Sequence, residues 1–497
     1  MVIAPDEPSQ DGPPPLDVGG RGRDAVLQML GRTVVMRVIT VLGTIVLARI
    51  LSVADFGVFA VLIVWLGLLM MLGDAGIAAS LVQQKHEPTR EEMGTAWVLQ
   101  SIIWIPFVVI LWFLAPVIAQ VLSLPSEFEW QLRAISFSIP LTLLRALPAA
   151  MLGRVLRFRA LATIEVIQHI AFYATAITMA LAGGGAWSLV GAVFASTGVG
   201  ALLVNLFWGR RPVVSFDPAI ARHQLRFGVS YQASNLVAST REWIVPIFGS
   251  IGGGGATAIG HLQFGFRIGQ QAATIDEIIG RVTFPAFSRL QHDPPRIARL
   301  MTDAVLVAGL AVAIVQVWLI AVAPVLVPIV YGDRWVPAVP VLQLVCLGTL
   351  ATVPTRFLRS LVFGQGRSRV GFGLAVAVTF TMLAAFPPLV ILLGVGGGGL
   401  AFVLAASVGL VLYARAVSAV ATFPWLALGR LYLLAAVAGM AAWLIATGLS
   451  GTAGLITATV AYGLIGAALV WLFARGEVAL TLRLLRRREP IEVVADI

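Results

Sequence analysis

Charge is scarce in this chain. Only 12% of its 497 residues are Asp, Glu, Lys or Arg, where a soluble fold of this size carries about a quarter, so an ordinary soluble protein is excluded. Cysteine is scarcer still: the lone Cys346 rules out an internal disulfide and any cysteine-based metal cluster. Five histidines (His86, His169, His223, His261 and His292) lie far apart, without H-E-x-x-H or comparable ligand spacing, and no metal site is expected. No G-x-x-x-x-G-K-[ST] phosphate loop occurs, and no cofactor or catalytic group is expected. The first 24 residues lack the basic start, apolar stretch and cleavage site of a secretory signal. They are rich in Pro, Gly and Asp and read as a disordered tail, with the first helix serving as an uncleaved signal-anchor.

What is abundant is hydrophobic sequence, at 59%. Runs of roughly 20 apolar residues recur from about Ala25 to Phe473, each long enough to cross a ~30 Å hydrocarbon layer. Backbone groups cannot be left unsatisfied in lipid, so the chain reads as an all-α polytopic membrane protein. About fourteen transmembrane helices are predicted. The first six span 27–50, 55–83, 93–119, 130–152, 160–182 and 186–208, and the next six 225–250, 256–285, 300–330, 336–364, 370–394 and 398–421; a last pair covers 430–449 and 453–474.

The arginines give the orientation. There are 33 of them against the single Lys85. With the N-terminus inside, the inner segments hold 23 basic residues and the outer connectors only two, Arg49 and Arg334. Positive charge is retained in the cytoplasm, so the topology is N-in, C-in. The net charge of +10 does not point to nucleic acid, because the basic residues are dispersed in loops and the aromatics lie within the apolar runs.

Two six-helix blocks of similar length, each followed by a basic inner segment, predict two lobes related by a pseudo-twofold axis along the membrane normal, with a cavity between them. The expected organisation is a cytoplasmic tail (1–24), an N-terminal lobe (25–210), a C-terminal lobe (211–424), an extra helix pair (425–475) and a basic cytoplasmic tail (476–497).

A few charges lie inside the runs. An ionisable group at mid-bilayer costs about 2.5–3.5 kcal/mol on insertion scales and faces a partner or a water-filled cavity. At ~1.5 Å of rise per residue, Arg37, Arg241 and Arg267 fall too deep to reach an interface easily. Arg32 lies shallower, within snorkelling reach of the inner surface. Arg145 is intermediate, and Pro148 in the next turn frees a carbonyl for it to bond. Arg133, Arg281, Arg356 and Arg359 lie near an interface. The acids of the same region are Asp74, Glu165, Glu242, Asp276 and Glu277. Asp74 and Glu242 are placed to hold arginines while a cavity is empty, or to serve as an ion site. Glu165 shares a helix face with His169, four residues on, and suits a local hydrogen bond, with ion coupling as the alternative role.

Six short segments carry a resemblance: LARILSVADFG (Leu47–Gly57), GDAGIAASLV (Gly73–Val82), RFRALATIE (Arg157–Glu165), GAWSLV (Gly185–Val190), FPAFSRLQHDP (Phe284–Pro294) and WVPAVPVL (Trp335–Leu342). In order and spacing they are similar to the Wzx-type polysaccharide flippases of the multidrug/oligosaccharidyl-lipid/polysaccharide (MOP) exporter superfamily. Two places depart from that pattern: Val53 stands where the family often has Pro, and Arg241–Pro246 replaces an Asn/Asp-rich stretch. The resemblance implies a bacterial inner-membrane protein, not an enzyme. It would carry undecaprenyl-diphosphate-linked oligosaccharide from the inner to the outer leaflet by alternating access, for exopolysaccharide or O-antigen assembly. Its expected partners are that lipid-linked oligosaccharide, the bilayer and the polysaccharide polymerase machinery.

Arginine suits such cargo, since a guanidinium stays charged and binds phosphate oxygens bidentately. Two rivals within transport are a lipid II flippase, which would use a similar cationic cavity, and a drug or cation antiporter, which would favour midplane carboxylates. A membrane glycan polymerase or ligase, the rival of another class, would need a sizeable outward loop, whereas every outward connector here is about a dozen residues or shorter.

Overall fold

The computed structural model describes residues 35–473, apart from 85, 156, 210–213, 272–292, 419–421 and 450; at 73, 158, 227, 229–231, 233–238, 241–242 and 294 it describes the backbone alone. The described residues are helical, without a strand, and eleven of their segments are long and apolar enough to cross a membrane. The expected spans one, seven and eight lie outside those eleven. The first is described only from 35, the seventh carries many polar residues, and the eighth is described only as far as 271.

In the N-terminal half, α1 (35–50) is followed by α2 (Val53–Asp74), α3 (Ile77–Gln83), α4 (Arg90–Val121), α5 (Glu127–Ser136), α6 (Ile139–Arg154), α7 (Phe158–Leu181) and α8 (Trp187–Trp208). Reciprocal caps start two of these helices. Ser52 Oγ accepts from Asp55 N while Asp55 Oδ2 accepts from Ser52 N, and Thr89 with Glu92 repeats the arrangement at α4. Each satisfies two amides that have no partner within the helix.

Two predicted spans are broken. The span 55–83 divides at Ala75 and Gly76, both with positive φ (45° and 72°), and Asp74 caps α3 by accepting from Gly76 N at 3.2 Å and Ala78 N at 3.4 Å. Gly76 is required there: besides its φ, a Cβ would overlap the carbonyl of Gly228. The span 130–152 divides at Phe137–Ser138, where Pro140 in the first turn of α6 has no amide to continue α5.

The second half holds α9 (Pro218–Phe248), α10 (Gly255–Gly269), α11 (Pro294–Tyr331), a 3-10 turn at Asp333–Ala338, α12 (Val339–Gly364), α13 (Ser368–Leu393) and α14 (Val395–Val417); α15 (Trp425–Gly448) and α16 (Gly451–Phe473) complete the chain. Asp217 caps α9 ahead of Pro218, so this helix begins earlier than the expected 225. α10 ends at Gly269, within the expected span 256–285, whose residues from 272 onward lie outside the described ones.

α6, α7 and α8 pack together in the first half, with α2, α4 and α5 beside them; α12 forms the centre of the second, against α10, α11 and α14. α15 and α16 lie on α11, where Trp318 donates to Thr459 Oγ1 at 3.2 Å, and Tyr432 of α15 donates to Leu350 O of α12 at 2.7 Å. α2 crosses between the halves and runs against α10. At that crossing a Cβ on Gly57 would lie 2.7 Å from the carbonyl carbon of Ala256, and one on Gly260 2.8 Å from Val53 Cγ1. Small residues bring the two backbones into direct contact, a common way for helices to associate in lipid.

Candidate functional site

The end of α10 is where charge, polarity and a helix break converge. The last carbonyls of a helix have no partner within it, and in hydrocarbon they must find one elsewhere. Gln316 of α11, fully buried, donates from Nε2 to Gly269 O at 2.8 Å. From the opposite half, Arg37 of α1 donates from Nη2 to Gln271 O at 3.0 Å. Arg267 lies four residues before that carbonyl, about 6 Å along the chain at helical rise, on the exposed face of α10. Arg37 thus reaches from the first half to the chain four residues past Arg267, another of the three deepest arginines predicted from the sequence.

The remaining predicted residues are placed less centrally. Arg241 and Glu242 fall on α9, but their side chains are outside the described set, as are Arg32, Asp276, Glu277 and Arg281. Arg145 lies half-buried on α6, and its Nε is enclosed without a hydrogen-bond partner among the described residues. Pro148 does free a carbonyl, that of Leu144, but Asn205 of α8 takes it at 2.9 Å in place of Arg145. Asp74 is bound to its own helix break, and its third partner is Gln100, whose Nε2 donates to Oδ1 at 2.8 Å. The partners that the structure gives it are thus an amide and two backbone groups, where the sequence suggested an arginine. His169 Nδ1 lies 2.9 Å from the backbone oxygen of Glu165, so the local bond expected between these residues runs through the main chain. Arg133 stays near the chain's surface, over the rings of Trp112 and Trp130 at 5.4 and 4.9 Å.

Buried amides were missed by a reading that followed charge alone. Gln100, Gln224 and Gln316 are fully buried and each bridges two helices, two of them onto backbone carbonyls. The signal was present in the sequence as isolated Gln and Asn within or at the ends of apolar runs. A buried amide carries the same demand for a partner as a buried charge, at lower cost.

The two halves are also joined at their ends. At one end, Arg49 of α1 donates to Val330 O at 2.9 Å and to Ile329 O, while Arg334 donates to Leu51 O at 2.8 Å and Arg49 O at 3.0 Å. At the other, Asp217 N donates to Thr95 Oγ1, Gln224 to Glu92 O at 3.1 Å and Gln232 to Met71 O at 2.6 Å. Among the described residues, no three His, Cys, Asp or Glu side chains gather as a metal site would require.

Comparison with known proteins gives a consistent picture. The family model described as "Polysaccharide biosynthesis protein" matches residues 46–340. The succinoglycan biosynthesis transport protein ExoT of Rhizobium meliloti (strain 1021) is 28% identical over 346 residues, covering 69% of each chain. The lipopolysaccharide biosynthesis protein WzxC of Escherichia coli (strain K12) is 26% identical over 343 residues, 68% of this chain and 69% of that one. Among solved structures, the lipid II flippase MurJ in an inward closed conformation superposes with a TM-score of 0.76 at 14% identity, over 91% of this chain and all of that one. An inward-facing multidrug resistance MATE family transporter of the MOP superfamily gives 0.58 at 14% identity, over 78% and 95%. These likenesses establish a shared fold.

Proposed function

The chain belongs to the polysaccharide biosynthesis protein family, and on that premise we propose that it is a MOP-superfamily flippase of the bacterial inner membrane. It moves undecaprenyl-diphosphate-linked oligosaccharide repeat units from the cytoplasmic to the periplasmic leaflet. The names of its relatives, a succinoglycan transport protein and a lipopolysaccharide biosynthesis protein, support polysaccharide cargo. In this reading fourteen helices form two six-helix lobes, 25–210 and 211–424, about a pseudo-twofold axis. The pair 425–475 flanks the second lobe, and both tails, 1–24 and 476–497, lie inside.

The observation that carries the mechanism is Arg37 on the carbonyl of Gln271, four residues past Arg267. Two guanidiniums from opposite halves replace the water that a diphosphate loses on entering the membrane, with Arg241, Arg145 and Arg32 extending the cationic lining. Glu242 and Glu165 are the acids placed to balance it. A phosphate offers Arg37 what the Gln271 carbonyl does not, a full negative charge and two oxygens for bidentate binding. The glycan travels with the diphosphate between the lobes while the polyprenyl chain stays in lipid. With the cell interior negative, moving two negative charges outward gains about 4–5 kcal/mol per 100 mV, enough to drive transport without ATP. Delivered outside, the repeat unit becomes substrate for the polymerase machinery.

The lipid II reading is favoured by the MurJ-like fold, and cargo chemistry separates the two. In vesicles with an imposed potential, the purified protein should flip a polyprenyl-diphosphate-linked oligosaccharide faster than lipid II. The opposite preference would reassign the cargo, and no transport of any diphosphate-linked lipid would remove the flippase reading.

A further inference from the structure

Arg49 and Arg334 are the two basic residues left in the connectors assigned to the outside, where positive charge has no topological use. The structure gives them a common task. α1 ends at residue 50 and α11 at Tyr331, so the carbonyls of residues 48, 49, 51, 329 and 330 lie at helix C-termini, where partners within the helix run out. All five are taken from across the divide. Arg49 donates to Ile329 and Val330, Arg334 donates to Arg49 and Leu51, and the indole Nε1 of Trp335 donates to Ala48 O at 3.0 Å. The exchange is reciprocal: each arginine covers the negative end of the other half's helix, the favourable arrangement for a cation and a helix terminus.

Trp335 is fully buried beneath this exchange. It stacks on Phe264 at 4.4 Å and meets Phe56 of α2 edge-on at 5.2 Å. His261 holds the turn from below, its Nε2 3.0 Å from Arg334 O. The apolar cluster around the indole draws Ala48 and Val53 from the first half and Phe264, Leu342 and Cys346 from the second. Next to it the Gly57 and Gly260 contacts bring α2 and α10 backbone to backbone. Arg49 belongs to LARILSVADFG and Trp335 opens WVPAVPVL, with Arg334 just before it; the family match, 46–340, begins one residue before the first segment and ends within the second.

We propose that Arg49, Arg334 and Trp335 form the outer gate of the transporter, a reciprocal latch whose five carbonyl bonds release together when the lobes part towards the outside. The proposal rests on the alternating-access reading above. Release is collective because the donors are interleaved: α1 cannot leave α11 without losing the bonds of both arginines and that of the indole to Ala48 O. Both halves keep their own helices on opening, since the bonds that break are at helix ends and outside any helix interior.

A cysteine beneath the latch tests this. Ala48→Cys in a Cys346→Ser background places a single thiol at a fully buried position under Trp335. In intact cells, a membrane-impermeant maleimide should label it slowly in the parent. It should label it at least about tenfold faster in Arg49→Gln and in Arg334→Gln, the ratio that losing one charged hydrogen bond implies. Labelling within twofold of the parent in both variants, with unchanged thermal unfolding, overturns the latch. If either variant fails to fold, Trp335→Phe keeps the ring contacts and removes only the donor to Ala48. A smaller rise is expected there, and a parental rate overturns the latch in that arm too. Flipping measured on the same proteins separates the two readings. A chain that labels as expected but moves no lipid-linked glycan leaves the gate standing and removes the cargo assignment.

Discussion

At the end of the molecule that carries Arg49 and Arg334, guanidiniums and an indole bind helix-terminal carbonyls across the divide, whereas at the opposite end Gln224, Gln232 and Thr95 bridge α9 to α2 and α4. Both ends also bring glycine against backbone, Gly57 and Gly260 at the first and Gly76 and Gly228 at the second. The packing is alike and the donors differ. A hydrogen bond from a charged group contributes about 1.5–3 kcal/mol and one from a neutral amide about 0.5–1.5. Of the two seals the charged one is the harder to open, so the resting protein should sample an inward opening more often than an outward one.

That contrast can be broken first at its shared part. Gly260→Val and Gly228→Val each force a side chain into a carbonyl of the facing helix, Val53 O and Ala75 O. Both should destabilise by about 1–3 kcal/mol or more, read as thermal unfolding in detergent. A large loss at only one end would show that packing also differs. The neutral donors come next. Gln224→Leu or Gln232→Leu should cost about 1 kcal/mol each and raise thiol labelling from the inner side by less than Arg49→Gln raises it from the outer. An equal or greater rise would reverse the ranking of the two seals. The helix caps should matter least. Ser52→Ala at the Arg49 end and Thr89→Ala at the opposite end should each cost about 1 kcal/mol of stability and leave the labelling ratio between the two faces unchanged.

The sequence was informative wherever lipid alone sets the rule. Run length located the eleven described apolar spans, because hydrocarbon thickness and backbone satisfaction leave little choice, though α11 begins at 294 against the expected 300 and α15 at 425 against 430. It did not locate the breaks at Ala75–Gly76 and Phe137–Ser138 or the end of α10; Pro140 marks the second locally, while the other two involve distant donors. Gln100 completes Asp74, and Gln316 and Arg37 hold the carbonyls of Gly269, at the end of α10, and of Gln271, just past it, from other helices. Arg49 and Arg334 stood out as anomalies, yet nothing local could pair two residues 285 apart. The candidate site was legible in the sequence as expected depth, since Arg37 and Arg267 fall well inside their predicted spans at helical rise. That Arg37 reaches the carbonyl four residues past Arg267 follows only from the tertiary structure.

The central claim is that these two arginines grip one diphosphate between the lobes. It is tested most directly by initial flipping rates of a polyprenyl-diphosphate-linked oligosaccharide in vesicles under an imposed potential, for Arg37→Ala, Arg267→Ala and the double variant. Each single change should slow transport by roughly tenfold or more. The double should fall short of the product of the two losses, because groups acting on one ligand are coupled. Rates like the wild type's in both single variants would contradict it.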